Sequence, residues 1–192
     1  FLESLLIVYF SYLLGSIPSG VIFAKLFSLG ELDKIGSGNT GATNVLRTGN
    51  YWAAGLTLLV DFFKAYIAIC ICVVINEDLL ILSAPVILFG HIFPIWIEKL
   101  KGGKGFASFL GILFALNVML MVFVCIIWFI IFVKNKISSV ATLISANLSG
   151  FYSLIFLDLL TSFALLLLNL IIIFSHQENI KRLIKGTEGK IL

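Results

Sequence analysis

Six runs of apolar residues make up most of this chain: Leu2–Leu29, Ala53–Ile75, Leu79–Ile97, Phe106–Val133, Ile137–Leu157 and Leu159–Ser175. A helix needs about 20 such residues, each rising about 1.5 Å, to cross the hydrocarbon of a bilayer. A water-soluble domain of this size has no interior large enough to hide them. Of the 192 residues, 60% are hydrophobic and 12% charged, against about 25% charged in ordinary globular domains. The pattern predicts an all-α integral membrane protein forming a single domain over residues 1–192. The first run carries Glu3 as its only acid and no basic leader. It is also too long for a signal-peptide core, so it is expected to stay in the mature protein as a spanning helix. Cys70, Cys72 and Cys125 all lie inside apolar runs. Cys70 and Cys72 point to different faces of a helix and chelate poorly, so all three are read as buried and inert.

Charge placement orients the chain. Lys25, Lys34, Arg47, Lys99, Lys101, Lys104, Lys134, Lys136, Lys181, Arg182, Lys185 and Lys190 lie between runs or at their ends, with Lys64 inside a span. The remaining loops hold only the acids Glu3, Glu77, Asp78 and Asp158. Cations collect on the cytoplasmic face, which places Gly30–Tyr51 and Glu98–Gly105 inside and the amino terminus outside. The run Phe106–Val133 has 28 residues, about 42 Å as one helix against about 30 Å of hydrocarbon. A hairpin near Asn117 keeps Lys134, Lys136 and the basic tail on the inner face. The expected topology is therefore seven transmembrane helices, amino terminus outside and carboxyl terminus cytoplasmic.

Three polar segments then meet at one face. The first, Gly36-Ser37-Gly38-Asn39-Thr40-Gly41-Ala42-Thr43-Asn44 with Arg47, joins small residues, hydroxyls and a guanidinium into an oxyanion cradle. The second runs from His91-Ile92-Phe93-Pro94 to Lys101-Gly102-Gly103-Lys104-Gly105-Phe106-Ala107-Ser108. Its glycines and two lysines open a helix whose N–H groups and dipole attract phosphate. The third is His176-Gln177-Glu178-Asn179-Ile180-Lys181-Arg182, followed by Gly186 and Glu188. Each has a plainer reading: glycine loops are turns, the lysines are interfacial anchors, and the third segment is an amphipathic surface helix. Their convergence on one leaflet favours a basic pocket for phosphate groups. The second segment is no Walker A loop, since Gly105 follows Lys104 where serine or threonine is required. No H-x-x-x-x-D acyltransferase box begins at His91, because Trp96 stands five places on. No metal-ligand set, cofactor motif or nucleic-acid signature is present.

The ordered segments LGSIPSG…GSGNTGATNVLR, GHIFP…KGGKGFAS and H-x-E-N-I-x-R-L-x-x-G-x-E resemble the acyl-phosphate:glycerol-3-phosphate acyltransferases of bacterial membranes, the PlsY family, from Leu14 to about Lys190. The resemblance implies a seven-span fold in the inner membrane, an active site facing the cytoplasm, and acyl-CoA-independent formation of lysophosphatidic acid. It implies no cofactor or metal. The acyl phosphate would come from an upstream acyl-carrier-protein:phosphate acyltransferase. It assigns catalytic roles to Ser37, Arg47, Lys104, His176 and Asn179. Substrate and phosphate contacts fall to Gly38, Asn39, Thr43, Asn44, His91, Lys101, Gly102, Gly103, Gly105, Ser108 and Arg182. Asp61, Lys64 and Glu188 are read as structural. The chain departs from the family pattern at Gln177 (usually Arg), Ser108 (usually Thr), Ala65 (usually Gly) and Lys34 (often Arg).

A transporter or channel for a phosphorylated solute is the rival class. It needs a polar path, and the only charges deep in the spans are Asp61 and Lys64, three apart on one helix face, which read as a self-neutralising pair. A scaffold is the third and weakest alternative.

Overall fold

The computed structural model describes residues 2–97 and 102–191. Within them lie ten α-helices: α1 (Leu2–Gly15), α2 (Ser19–Leu26), α3 (Ala42–Leu46), α4 (Tyr51–Asn76), α5 (Leu80–Ile92), α6 (Phe106–Leu116), α7 (Val118–Asn135), α8 (Ser138–Phe156), α9 (Leu159–Ser175) and α10 (Gln177–Ile184). Pro18 divides the first apolar run because it lacks an N–H and stands at a non-helical φ/ψ ahead of α2. Together α1 and α2 still make a stretch of 25 residues long and apolar enough to cross a bilayer, as are α7 and α8.

A fourth such stretch, Tyr51–Ile92, folds back on itself at the 3-10 turn Glu77–Leu79. Cys72 Sγ lies 3.3 Å from Ser83 Oγ, and Asp61 Oδ1 lies 3.4 Å from His91 Nδ1. Both pairs straddle that turn, so α4 and α5 run antiparallel. A fifth stretch joins α9 to α10, with a bend of 59°.

The run Phe106–Val133 breaks at Asn117, as its length demands. Asn117 is extended (φ −158°, ψ 106°), and its side chain caps α7 by accepting from Leu120 N at 2.8 Å. Phe106, as far before Asn117 as Trp128 is after it, stacks on Trp128 with ring centroids 6.1 Å apart. The two helices therefore form an antiparallel hairpin. Its open end is tied to the tail, where Ile191 N donates to Lys136 O at 3.0 Å.

Helix α6 packs chiefly on α4 and contributes to the main buried core. Its Phe109, Ile112 and Leu113 are fully buried against Ile69 of α4, Ile87 and Leu88 of α5, and Leu165, Leu168 and Ile172 of α9. Helix α8 packs between α7 and α9 through a buried stripe that includes Ser145, Ala146, Ser149, Gly150 and Ser153. Small side chains let helix backbones approach closely where lipid gives no hydrophobic drive for association. The hydroxyls do not go unpaired: Ser149 and Ser153 donate to Ala146 O and Gly150 O of their own helix at 2.6 and 2.8 Å. A smaller cluster of Ala24, Leu32, Val45, Ala53 and Ala54 seats the segment before α4 onto α2 and α4. The outer surface carries Trp52, Val74, Phe151 and Leu159 largely exposed, a surface suited to lipid and not to water.

Candidate active site

The first polar segment is a loop wound around one side chain. Asn44 is fully buried; its Nδ2 donates to Leu32 O (3.0 Å) and Asn39 O (2.8 Å), and its Oδ1 accepts from Ser37 N (3.1 Å) and Arg47 (3.4 Å). Arg47 in turn lies 3.4 Å from Ser37 Oγ. Gly36 has φ +52°, and a Cβ there would strike Arg47 and the Asn44 amide at 2.6–2.7 Å. Only glycine allows the loop to close on Arg47 in this way. Asn44, expected as a substrate contact, is instead the hub that fixes Ser37, Asn39 and Arg47. Gly38 likewise sits behind the cavity surface, whereas Ser37, Asn39, Thr43 and Arg47 line it.

The second segment differs from expectation at its glycines. Gly102 N and Gly103 N donate to Ile92 O (2.8 Å) and His91 O (3.1 Å). They close the orphan carbonyls at the end of α5 and are not free to cradle phosphate. A Cβ on Gly103 would lie 2.1 Å from His91 Nε2, so this glycine exists to admit the His91 ring. That ring places Nδ1 3.2 Å from Ser108 Oγ and 3.4 Å from Asp61 Oδ1. Ser108 Oγ donates to Asp61 O (3.0 Å), Ser19 Oγ to Asp61 Oδ1 (2.6 Å), and Lys64 Nζ bonds Asp61 Oδ1 (2.7 Å) and Ile17 O (2.8 Å). Asp61 and Lys64 form the neutralised buried pair that their spacing foretold. Ser108 supports this network and does not reach the cavity, while Asp61 and His91 form part of the cavity wall. Lys101 lies outside the described residues.

The third segment closes the site. Lys104 Nζ donates to Asn179 Oδ1 at 2.5 Å, and Asn179 Nδ2 donates to Glu188 Oε1 at 2.5 Å. Glu188 also accepts from Ser139 Oγ (2.7 Å) and Arg182 Nε (2.6 Å). Glu188, expected to be structural, anchors the tail and also lines the cavity, while Arg182 does not line it and is bonded to that carboxylate. Burial acts to raise the Glu188 pKa, but the bonds from Asn179, Ser139 and Arg182 and the Arg182 charge outweigh it and hold the carboxyl below its usual range. Burial lowers Lys104 to about 8, with help from Arg182 and Arg47 against the pull of Glu188. His176, 3% exposed, is lowered to about 4 by burial and then by the Lys104 charge. Its Nδ1 lies 2.8 Å from Ile172 O, which makes Nδ1 the protonated nitrogen and leaves Nε2 an acceptor at neutral pH.

These groups share one cavity of about 660 Å³. One end holds Ser37, Arg47, Lys104, His176 and Asn179, with Gly105 at the start of α6. Adjoining it is an apolar trough of α4, α6 and α7 side chains that includes Leu58, Leu110, Trp128, Phe129 and Phe132, with Trp128 stacked on Phe106 just past Lys104. Sequence reasoning placed none of the trough, nor Ser138, Ser139, Thr142 and Ile191. Aromatic side chains on a membrane helix look alike whether they face lipid or a cavity. Trp128 betrays its role through its hydrogen bond to Thr142 Oγ1 (3.1 Å) and its stacks on Phe106 and Phe132.

A helical membrane protein with a cavity that joins cationic groups to a long apolar wall is built to handle phosphorylated amphiphiles. The chain belongs to the glycerol-3-phosphate acyltransferase family, whose model matches residues 5–186. It is 39% identical over 98% of its length to the glycerol-3-phosphate acyltransferase of Pelagibacter ubique, of which 98% is covered. It is 44% identical over 94% of its length to that of Cereibacter sphaeroides, of which 86% is covered. In structure it is similar to PlsY (YgiH), an integral membrane glycerol 3-phosphate acyltransferase, in the glycerol 3-phosphate form (TM-score 0.92, 32% identity, 98% of this chain and 95% of that one). The lysophosphatidic acid form of the same protein matches with a TM-score of 0.88.

Proposed function

We propose that this acyltransferase moves the acyl group of an acyl phosphate onto glycerol 3-phosphate, giving lysophosphatidic acid and inorganic phosphate independently of acyl-CoA. One observation carries this reading: Arg47 and Lys104 line the same cavity as the apolar α4–α6–α7 trough. That arrangement suits two phosphates side by side with one acyl chain behind them. An acyl phosphate is a mixed anhydride, so its carbonyl carbon is already activated. The glycerol hydroxyl oxygen bonds to that carbon, the bond from carbon to the phosphate oxygen breaks, and the hydroxyl proton leaves with the phosphate. Arg47, Ser37 and Lys104 hold the two anions together against their repulsion, and Asn179 fixes Lys104. Proximity and charge stabilisation supply most of the acceleration. A His176 pKa of about 4 is poorly matched to proton abstraction near neutrality. Its Nε2 orients the hydroxyl, and a phosphate oxygen of the donor takes the proton.

Purified protein in detergent, given acyl phosphate and glycerol 3-phosphate without added metal, is expected to release lysophosphatidic acid and phosphate, with acyl-CoA a poor donor. Efficient turnover of acyl-CoA would overturn the donor assignment. The acyl phosphate is supplied by an acyl-carrier-protein:phosphate acyltransferase acting upstream.

The same reading includes seven crossings of the bacterial inner membrane, by α1 with α2 and by α4 through α9, with the amino terminus outside and the site cytoplasmic. The positions of Arg47, Lys104, Lys136 and Arg182 at the site end support it. In a background lacking Cys70, Cys72 and Cys125, single cysteines near Lys34, Lys134 and Lys185 should resist an impermeant thiol reagent in intact cells, and one at Asp78 should react. Labelling near Lys134 would remove the seven-span count.

A further inference from the structure

Gly55 is an oddity in the second turn of α4. Glycine weakens a helix interior relative to alanine, so it usually stands where a neighbour presses close. Here a Cβ would meet nothing within 4 Å. Gly55 is exposed, yet it lines the cavity together with Tyr51, Ala54 and Leu58 of the same helix. The opposite wall is Trp128, Phe129 and Phe132 of α7. Helix α4 packs on α6, and α6 on α7, so α6 is the floor of a slot whose sides are α4 and α7. That slot opens sideways, since Leu58 is 48% and Phe129 63% exposed while both line it. A side chain at position 55 would project into the slot without displacing any packed atom.

We propose that the missing side chain at Gly55 sets the donor specificity of this enzyme. It leaves a notch through which the acyl chain leaves the cavity sideways into the bilayer, so long chains are accepted without an upper length limit. The inference rests on the acyltransferase reading above but not on the identity of the leaving group.

The test compares kcat/KM for a long-chain and a short-chain donor in the wild type, Gly55→Ala and Gly55→Leu, using both acyl phosphates and acyl-CoAs, in detergent micelles. Gly55→Leu is expected to lower the long-to-short ratio by about tenfold or more, the discrimination one apolar side chain supplies in a pocket, with a smaller shift for Gly55→Ala. Adding Phe129→Ala to Gly55→Leu should restore the ratio by reopening the other side of the slot. The glycerol 3-phosphate KM reports on the head of the cavity and should hold in all variants. An unchanged ratio, or equal losses on both donors without rescue by Phe129→Ala, would overturn the proposal. Product from acyl-CoA alone would remove the donor assignment, and the length ratio read on that donor would still decide the role of Gly55.

Discussion

Two charge clusters in this molecule, one buried within the spans and one at the partly open cavity, are built on opposite principles. Around Asp61, one carboxylate meets one ammonium, Lys64, and every remaining contact is a hydroxyl, a ring nitrogen or a carbonyl. Around Lys104, by contrast, one carboxylate, Glu188, is the only acid among the described residues to offset Lys104 itself and the two further cations whose charge it feels, Arg182 and Arg47. A balanced cluster within the spans holds helices together, whereas surplus positive charge at a cavity head has to be met by a ligand. Buried charges are costly unless paired, so an unbalanced set signals a phosphate site more reliably than any single residue type.

Breaking the balanced cluster should have the largest effect. Asp61→Ala strands the Lys64 ammonium and should destabilise the fold by about 3–5 kcal/mol, whereas a paired replacement of both residues by apolar side chains of similar volume should cost far less. Thermal unfolding in detergent reads the difference; equal losses would mean that the pair is not mutually neutralising. In the unbalanced cluster the order reverses. Arg47→Ala and Lys104→Ala should each leave the unfolding temperature unchanged while cutting turnover about 100-fold, the scale set by about 2.7 kcal/mol of lost charge stabilisation. Full activity in both variants would return the cluster to architecture.

Gly103→Ala tests the seam between the clusters. The added methyl presses on the His91 ring, and overpacking should cost about 1–3 kcal/mol of stability. A raised KM for glycerol 3-phosphate with normal stability would instead mean that phosphate approaches this backbone. The smallest effect is on pH. The Lys104 ammonium, depressed to about 8, is mostly charged at neutrality and is lost as pH rises through that value. Between pH 7 and about 8.5, kcat/KM should therefore fall about fourfold. Lys104→Arg should flatten that limb, and a limb that survives the change belongs to another group.

The sequence by itself determined the class of the molecule, the hairpin at Asn117 and the three polar segments. Apolar run length, charge sign and local glycine chemistry are properties of neighbours in the chain, and the bilayer translates them directly into position. The Asp61/Lys64 pair was legible for the same reason, being one helical turn of spacing. Tertiary structure alone decided which residues of a motif touch the cavity and which hold it up. Asn44, Gly102, Gly103 and Ser108 moved from binding to support because their hydrogen-bond partners come from Leu32, the end of α5 and Asp61, choices that local sequence does not encode. Only the packing of α4, α6 and α7 turned Leu58, Gly55, Trp128 and Phe129 into a trough. In a membrane helix every face is apolar, so hydrophobicity cannot distinguish the face that meets lipid from the face that meets a substrate's tail.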